Sequence, residues 1–128
     1  MGTDLSQLQP EVKDAYEYAR LIHRVLTGGT IDLYGNVSGG SRPVTTSTYR
    51  STSEQVRLYE NRASNPYPVN RPGDSAHEWG LAVDSDVPDM EQPLWRAVRE
   101  YVGFRVPSND EVHGEVPNWR EIVRQAGF

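Results

Sequence analysis

The sequence contains no cysteine and only three histidines, His23, His77 and His113, among its 128 residues. The absence of cysteine excludes disulfide frameworks, cysteine-rich zinc sites, iron–sulfur clusters and thiol nucleophiles. Any transition-metal site in this chain must therefore combine histidines with carboxylates.

Long apolar runs and a surplus of positive charge are also missing. No apolar stretch approaches the roughly 20 residues that a membrane span requires. Lys and Arg number 13 against 18 Asp and Glu, and this acidic balance argues against nucleic-acid binding, which needs a basic surface. Residues 1–10 lack the basic and apolar regions of a signal peptide, so we expect synthesis in the cytoplasm without one.

The length of 128 residues fits a single domain over residues 1–128. Its predicted helices and strands indicate the α+β class. Apolar residues at three- and four-residue intervals predict a helix from Pro10 to Leu26, on which His23 is interpreted as structural. Five short strands are predicted, at residues 30–34, 44–49, 81–86, 104–106 and 111–115. The mixed order of strands and helices favours a small, mostly antiparallel sheet with flanking helices.

N-terminal capping signals predict three further helices. Ser51 with Glu54, and Asn118 with Glu121, have the spacing of a capping box. Asp89 is predicted to cap the helix between them. Residues 64–76 lack periodicity and are rich in proline, glycine and asparagine, so they are predicted to form a long loop of functional importance.

The most informative stretch is residues 75–84, in which His77 precedes Asp84 by seven positions. Gly80 allows a sharp turn between them, and imidazole and carboxylate are both good zinc ligands. The spacing alone is also typical of a loop histidine beside an aspartate that caps a neighbouring turn.

A second cluster, residues 109–115, places acids on both sides of His113. A catalytic zinc needs three protein ligands, an open position and a nearby base. His77, Asp84 and His113 supply three ligands, and Asp110 or Glu111 supplies the base. The alternative interpretation of this cluster is a solvated acidic turn.

Three blocks of residues occur in a fixed order along the chain. They are Thr48-Tyr49-Arg50-Ser51-x-x-Glu54-Gln55, Ser75-x-His77-x-x-Gly80-x-Ala82-x-Asp84 and Asp110-x-x-His113-x-Glu115. Together they resemble the zinc D-alanyl-D-alanine carboxypeptidase family. That family includes bacterial D,D-carboxypeptidases and dipeptidases, and bacteriophage endolysins that cut the L-alanyl–D-glutamate bond of peptidoglycan. The resemblance implies a hedgehog/D-Ala-D-Ala-peptidase-like fold and one zinc ion per chain.

The resemblance also implies roles for the site residues. It makes His77, Asp84 and His113 the zinc ligands and Asp110 the general base, with Glu115 supporting a ligand. Many members have Glu where this chain has Asp110, and Asp at this position is similar to the phage endolysin branch.

Outside the metal site, the resemblance implies a substrate-binding role for Arg50. A guanidinium before a helix N-terminus can hold a carboxylate or carbonyl of the peptide stem. Ser75 and Gln55 are predicted to bind substrate or to order the site. Trp79 is predicted either to line the cleft or to pack on the sheet, and Asp86 is expected to be structural.

The predicted function is therefore that of a zinc-dependent peptidoglycan peptidase, of the kind used as a phage lysin. The bond that it cleaves is either the L-alanyl–D-glutamate bond or the D-Ala–D-Ala bond of the stem peptide. It is expected to act on the cell wall, after release through a holin or as part of a virion, either alone or with a targeting partner on another chain. The alternative is a non-catalytic zinc-containing wall-binding or phage tail module, which Asp110 in place of Glu favours.

Overall fold

The computed structural model describes residues 2–127, so Met1 and Phe128 of the predicted domain, and Met1 of the segment examined for a signal peptide, lie outside the described residues. The helices are α1 (Pro10–Leu26), α2 (Thr52–Glu60), α3 (Gln92–Tyr101) and α4 (Trp119–Gln125). The strands are β1 (Thr30–Ile31), β2 (Val37–Ser38), β3 (Val44–Ser47), β4 (Ala82–Asp86) and β5 (His113–Glu115). The α+β class predicted from the sequence is confirmed. None of the helices within residues 2–127 has the length and apolarity needed to cross a bilayer.

Helix α1 begins and ends where its periodicity predicts. Its buried face packs against α3, where the side chain of Trp95 is fully buried. His23 is also fully buried on this face, with its ring edge against Trp95 and its Nε2 atom 2.8 Å from Oε1 of Glu91. These contacts belong to the core and agree with a structural role for His23.

Strands β3, β4 and β5 form one antiparallel sheet with β4 in the centre. Side chains alternate along β4, so Val83 and Ser85 face the core while Asp84 and Asp86 face a cleft. On the core side, Nε1 of Trp95 donates to the Ser85 hydroxyl at 2.9 Å. The central strand therefore separates the hydrophobic core from the polar site.

All five predicted strands are shorter in the structure, and those predicted at 30–34 and 104–106 differ most. The strand predicted at 30–34 ends at Ile31, because the Asp32 carboxylate accepts hydrogen bonds from the backbone N–H groups of Tyr34 and Asn36 and closes a turn. The segment then pairs only with β2 in a separate two-stranded sheet. The strand predicted at 104–106 contributes a single bridge, between Arg105 and Glu115.

One capping box of the two is present. Ser51 Oγ accepts from the Glu54 N–H, and the Glu54 carboxylate accepts from the Ser51 N–H, each at 3.2 Å. Asn118 occupies the predicted N-cap position of α4, but its capping box does not form, because this residue is left-handed (φ 60°) whereas an N-cap that bonds through its side chain needs extended backbone. Its intended partner, Glu121, is instead bound by Arg124.

The cap predicted for α3 is also wrong. Residues Asp89–Glu91 form a short 3₁₀ turn, and α3 begins at Gln92 with Glu91 at the N-cap position and no side-chain cap. Pro93 lies in the first turn, where its missing N–H is not needed.

Candidate metal centre

Asp84 lies at the centre of the site because it pairs with both neighbouring strands. It is opposite His113 on β5 and opposite Ser47 on β3, where a bulge shifts the register. Oδ1 of Asp84 is 3.0 Å from Nδ1 of His113 and 3.1 Å from Nε2 of His77. The antiparallel register therefore brings together residues 29 positions apart in the sequence.

His77 reaches the same point from a 3₁₀ turn, Ala76–Trp79, that precedes β4. The Ser75 hydroxyl caps this turn by accepting from the His77 N–H at 3.3 Å. Gly80 ends the turn in a left-handed conformation (φ 69°), and a Cβ here would lie only 3.0 Å from the carbonyl oxygen of Gln7. The close approach and the positive φ both favour glycine at this position.

The second nitrogen of each imidazole has a partner that sets its tautomer. His77 Nδ1 lies 2.7 Å from the Thr48 carbonyl oxygen, which can only accept, so this nitrogen carries the proton. His113 Nε2 donates in the same way to Oε1 of Glu115 at 2.8 Å. In their neutral forms both histidines therefore direct a lone pair towards Asp84.

Two lone pairs and a carboxylate oxygen in one place require a positive charge. Burial works against a charged His113, but its hydrogen bonds with Asp84 and Glu115 outweigh burial and raise its pKa to about 9. Burial likewise opposes ionised Asp84, yet the hydrogen bonds from His113 and His77 hold its pKa well below the usual range. The site attracts a cation, and within residues 2–127 these three side chains form the group that can hold a metal ion.

The donor set fits zinc. Two imidazole nitrogens and one carboxylate oxygen, all within 4.8 Å of one another, match the ligands that zinc takes in catalytic sites with an open fourth position. The carbonyl of Thr48 and the carboxylate of Glu115 supply the outer contacts that orient such histidines.

The two alternatives for the base differ in where the structure places them. Asp110 lines the same cleft as His77, Asp84 and His113, whereas Glu111 is exposed and does not line it. Oδ1 of Asp110 is buried without a hydrogen-bond partner among the described residues. Burial raises the pKa of the Asp110 carboxyl above its usual value. This geometry favours Asp110 as the residue that exchanges a proton with a ligand in the cleft.

Arg50 is buried beside the metal centre, at the wall of the cleft. Its Nη1 donates to Oε1 of Gln55 at 2.9 Å, and its Nη2 lies 3.9 Å from Oδ2 of Asp84. Gln55 in turn donates to the carbonyl oxygen of Asn70 at 2.7 Å. Gln55 is fully buried and thus connects Arg50 to the long loop predicted at 64–76.

Of the three remaining predicted residues, Ser75 and Asp86 line the cleft and Trp79 does not. Ser75 lines the cleft and caps the His77 turn. Trp79 lines an apolar groove between α1 and α4 rather than the cleft. Asp86 lines the cleft, but its Oδ1 accepts from the Val87 N–H and from Gln92 Nε2, each at 3.0 Å, as a structural residue does.

Sequence reasoning missed two contributors to the site, Ser47 and the carbonyl of Thr48. The Ser47 hydroxyl accepts from Arg50 Nη2 at 3.3 Å. The Thr48 oxygen belongs to the backbone, so no residue type at this position could indicate its role. The bulge in β3, which places both groups, has no sequence signal of its own.

The site lies in a cleft of about 840 Å³. Its lining includes the segment from Ser64 to Asn70 and the side chains of Arg105 and Asp110. A cleft of this size accommodates several residues of a peptide in extended form.

Comparisons with known proteins address the family and the fold. The family model described as VanY, D-alanyl-D-alanine carboxypeptidase, matches residues 36–101, just over half of the chain. The match includes Arg50, His77 and Asp84, whereas His113 lies beyond it. A search of curated protein sequences found no match.

Solved structures with the same fold cover most of the chain. The vancomycin resistance D,D-pentapeptidase VanY, in complex with Zn(II), is 19% identical with a TM-score of 0.56, over 93% of this chain and 79% of that one. The LdcB LD-carboxypeptidase is 21% identical with a TM-score of 0.58, over 98% and 76%. DacB from Streptococcus pneumoniae is 19% identical with a TM-score of 0.55, over 98% and 77%.

At these identities the solved structures establish the fold, and the family match establishes the relationship. The matched segment also carries two of the three residues that converge on the metal centre. The chain therefore belongs to the VanY family of D-alanyl-D-alanine carboxypeptidases.

Proposed function

We propose that the chain is a zinc-dependent peptidase, formed by residues 1–128 as one domain, that hydrolyses an amide bond of the peptidoglycan stem peptide. The observation that carries this proposal is the arrangement at Asp84. Two histidines with lone pairs directed at one carboxylate lie in an open cleft. Asp110 lines the same cleft, and its buried Oδ1 has no hydrogen-bond partner within residues 2–127.

In this proposal His77, Asp84 and His113 hold the zinc ion. When bound, zinc supplies a Lewis acid that polarises a carbonyl group and acidifies water. Asp110 acts as the general base: its carboxylate accepts a proton and then donates it to the leaving amine. The raised pKa of Asp110 suits this role, because a carboxyl that exchanges protons works best when its pKa is closer to the working pH.

Arg50 would bind a carboxylate or carbonyl oxygen of the stem peptide. Its guanidinium is held at the cleft wall by Gln55 and Ser47, so little side-chain freedom remains to be lost when substrate binds. We assign Gln55 and Ser75 mainly to ordering the site, since each bonds to protein groups there.

The bond that is cut has two candidates. The description of the matching family favours D-Ala–D-Ala carboxypeptidase activity. Asp110 in place of Glu favours the L-alanyl–D-glutamate endopeptidase activity of phage endolysins, and with it a lysin that acts on the wall after holin release or from a virion. In either case the partner is a peptidoglycan stem peptide.

Mass spectrometry of muropeptides tests the proposal directly. Purified sacculi are incubated with the zinc-loaded protein, with protein treated with chelator, and with the His113→Ala variant. We expect zinc-dependent release of either free D-alanine or new N-terminal D-glutamate, and the released group identifies the bond. Equal muropeptide profiles in all three samples would refute the peptidase activity.

A non-catalytic wall-binding or phage tail module is the second candidate, and the shorter side chain at Asp110 favours it. An aspartate must approach the reacting atoms more closely than a glutamate at the same position. For a binding module we expect cosedimentation with sacculi and no released product, whereas the enzyme releases product at catalytic protein concentrations.

A further inference from the structure

Arg99, in the last turn of α3, is a cation enclosed in the protein. Only 1% of its surface is exposed, and within residues 2–127 its guanidinium forms no ion pair with a carboxylate. Burying an unpaired charge is costly unless hydrogen bonds replace its hydration. Burial lowers the pKa of Arg99 to about 10, so the side chain is still charged at neutral pH.

Backbone carbonyls take the place of a counter-ion. Nη2 of Arg99 donates to the Glu111 oxygen at 2.7 Å, Nη1 donates to the Val112 oxygen at 3.4 Å, and Nε donates to the Trp95 oxygen at 3.3 Å. The guanidinium carbon also lies 5.2 Å from the centre of the Trp95 ring. All these contacts come from one planar group, which fixes the two facing carbonyls relative to each other.

The two carbonyls bonded by the Nη atoms are those between Asp110 and His113. The Val112 oxygen also accepts from the Ser85 N–H at 2.9 Å, next to Asp84 on β4. The His113 N–H donates to the Asp110 oxygen at 3.0 Å and closes the turn. The Arg99 side chain therefore holds the peptide groups that connect Asp110, the proposed base, with His113, the last proposed metal ligand.

We propose that Arg99 is a positioning residue for the peptidase site, which holds residues 110–113 so that the Asp110 carboxylate and the His113 ring keep one relative geometry. The proposal rests on the proposed function for its kinetic consequence. It also predicts a local structural effect, since the contacts exist whether or not the chain hydrolyses peptides.

The choice of arginine fits this role. Lysine has a single ammonium group and cannot hold two carbonyls in a fixed plane, whereas an apolar residue would leave both oxygens buried without this donor. A residue needed only to fill the core would avoid the desolvation of a charge.

The test compares Arg99→Met and Arg99→Lys with the control Arg24→Met. Arg24, in the last turn of α1, also donates to two backbone carbonyls, those of Val37 and Gly39, but at the β1–β2 hairpin. Hydrogen exchange of the zinc-loaded proteins is followed by mass spectrometry, and kcat and KM are measured on a stem-peptide substrate.

For Arg99→Met we expect faster hydrogen exchange in the peptides that cover residues 110–113. We also expect kcat to fall by about 10- to 100-fold, because small displacements of reacting groups have effects of this size. KM is expected to change less than about threefold and zinc content to stay near one, since Arg99 contacts neither ligand nor cleft. For Arg99→Lys we expect a kcat and an exchange rate at 110–113 between those of the wild type and those of Arg99→Met. The Arg24→Met control is expected to leave kcat and exchange at 110–113 as in the wild type.

Two outcomes would overturn the proposal. One is unchanged exchange at 110–113 in both Arg99 variants. The other is an increase in hydrogen exchange over the whole chain of an Arg99 variant, while the folded fraction of that variant keeps the wild-type kcat. If the wild type hydrolyses no substrate, the peptidase function fails, yet local exchange at 110–113 still decides whether Arg99 positions this segment. If Arg99→Met does not fold, Arg99→Lys carries the same comparison.

Discussion

Removal of the Glu115 carboxylate should weaken metal binding without removing a ligand. Glu115 accepts the Nε2 proton of His113 at 2.8 Å, and both side chains are only 12% exposed. This contact keeps the proton on Nε2 and leaves Nδ1 for the metal. In Glu115→Ala the ring can rotate or adopt the other tautomer, so part of the binding free energy must be spent on restoring the productive form.

The expected magnitude follows from the geometry. A hydrogen bond to a charged group, sheltered from water, contributes about 1.5–3 kcal/mol. This free energy corresponds to a metal Kd that rises about 10- to 100-fold, which agrees with the usual effect of losing such an outer contact. Glu115→Gln keeps an oxygen that can accept the proton but loses the charge, so its effect should be smaller than that of Glu115→Ala.

Competition with a chromophoric chelator measures the Kd of zinc for each protein. Glu111→Ala is the matched control, since it removes the same charge from the same segment while the Glu111 side chain is exposed to solvent. We expect Glu111→Ala to change the Kd less than about threefold, because exposed charges interact weakly through water. A Kd for Glu115→Ala within twofold of the wild type, or an equal loss in Glu111→Ala, would refute the orienting role of Glu115.

Three further variants test separate parts of the structure. Asp110→Ala should keep about one zinc per chain by elemental analysis but lose at least about 100-fold in turnover, since it removes the proposed base; loss of zinc would instead make Asp110 a ligand. His23→Gln should retain zinc content and turnover, with an effect only on the melting temperature, because His23 contacts the core; reduced zinc would contradict its structural role. Ser51→Ala should lower the free energy of unfolding in urea by about 1 kcal/mol, because the Glu54 N–H loses its acceptor, whereas Thr52→Ala should stay within about 0.5 kcal/mol of the wild type.

Local signals in the sequence predicted the parts of the fold that local interactions determine. The bounds of α1 follow from its apolar stripe and from Pro10, and the start of α2 follows from the hydrogen bonds between Ser51 and Glu54. The capping prediction failed at Asn118 because the chain arrives there in a left-handed conformation. That conformation depends on the path of the preceding loop, which a pattern of three or four residues does not contain.

The metal-binding group could be predicted only in part from spacing. His77 and Asp84 are joined by one turn and one strand, so their proximity follows from the glycine between them. His113 reaches Asp84 through the pairing of β4 with β5, which is a long-range contact, so the residue pattern alone left His113 open between a metal ligand and part of a solvated acidic turn. Nothing in the sequence indicated that Arg99 is buried, because charged residues three apart on a helix, as Arg96 and Arg99 are, usually mark a solvated face.

The central strand explains why the core and the site are coupled. Along β4, Asp84 faces the cleft and Ser85 faces the core, so adjacent residues serve the two regions. The Ser85 hydroxyl accepts from Trp95, and the Ser85 N–H donates to the Val112 carbonyl, which Arg99 also holds. Helix α3 is therefore connected by hydrogen bonds to the segment that carries Asp110. Because packed interiors transmit displacement, we expect the relative geometry of Asp110 and His113 to depend on core residues that do not line the cleft.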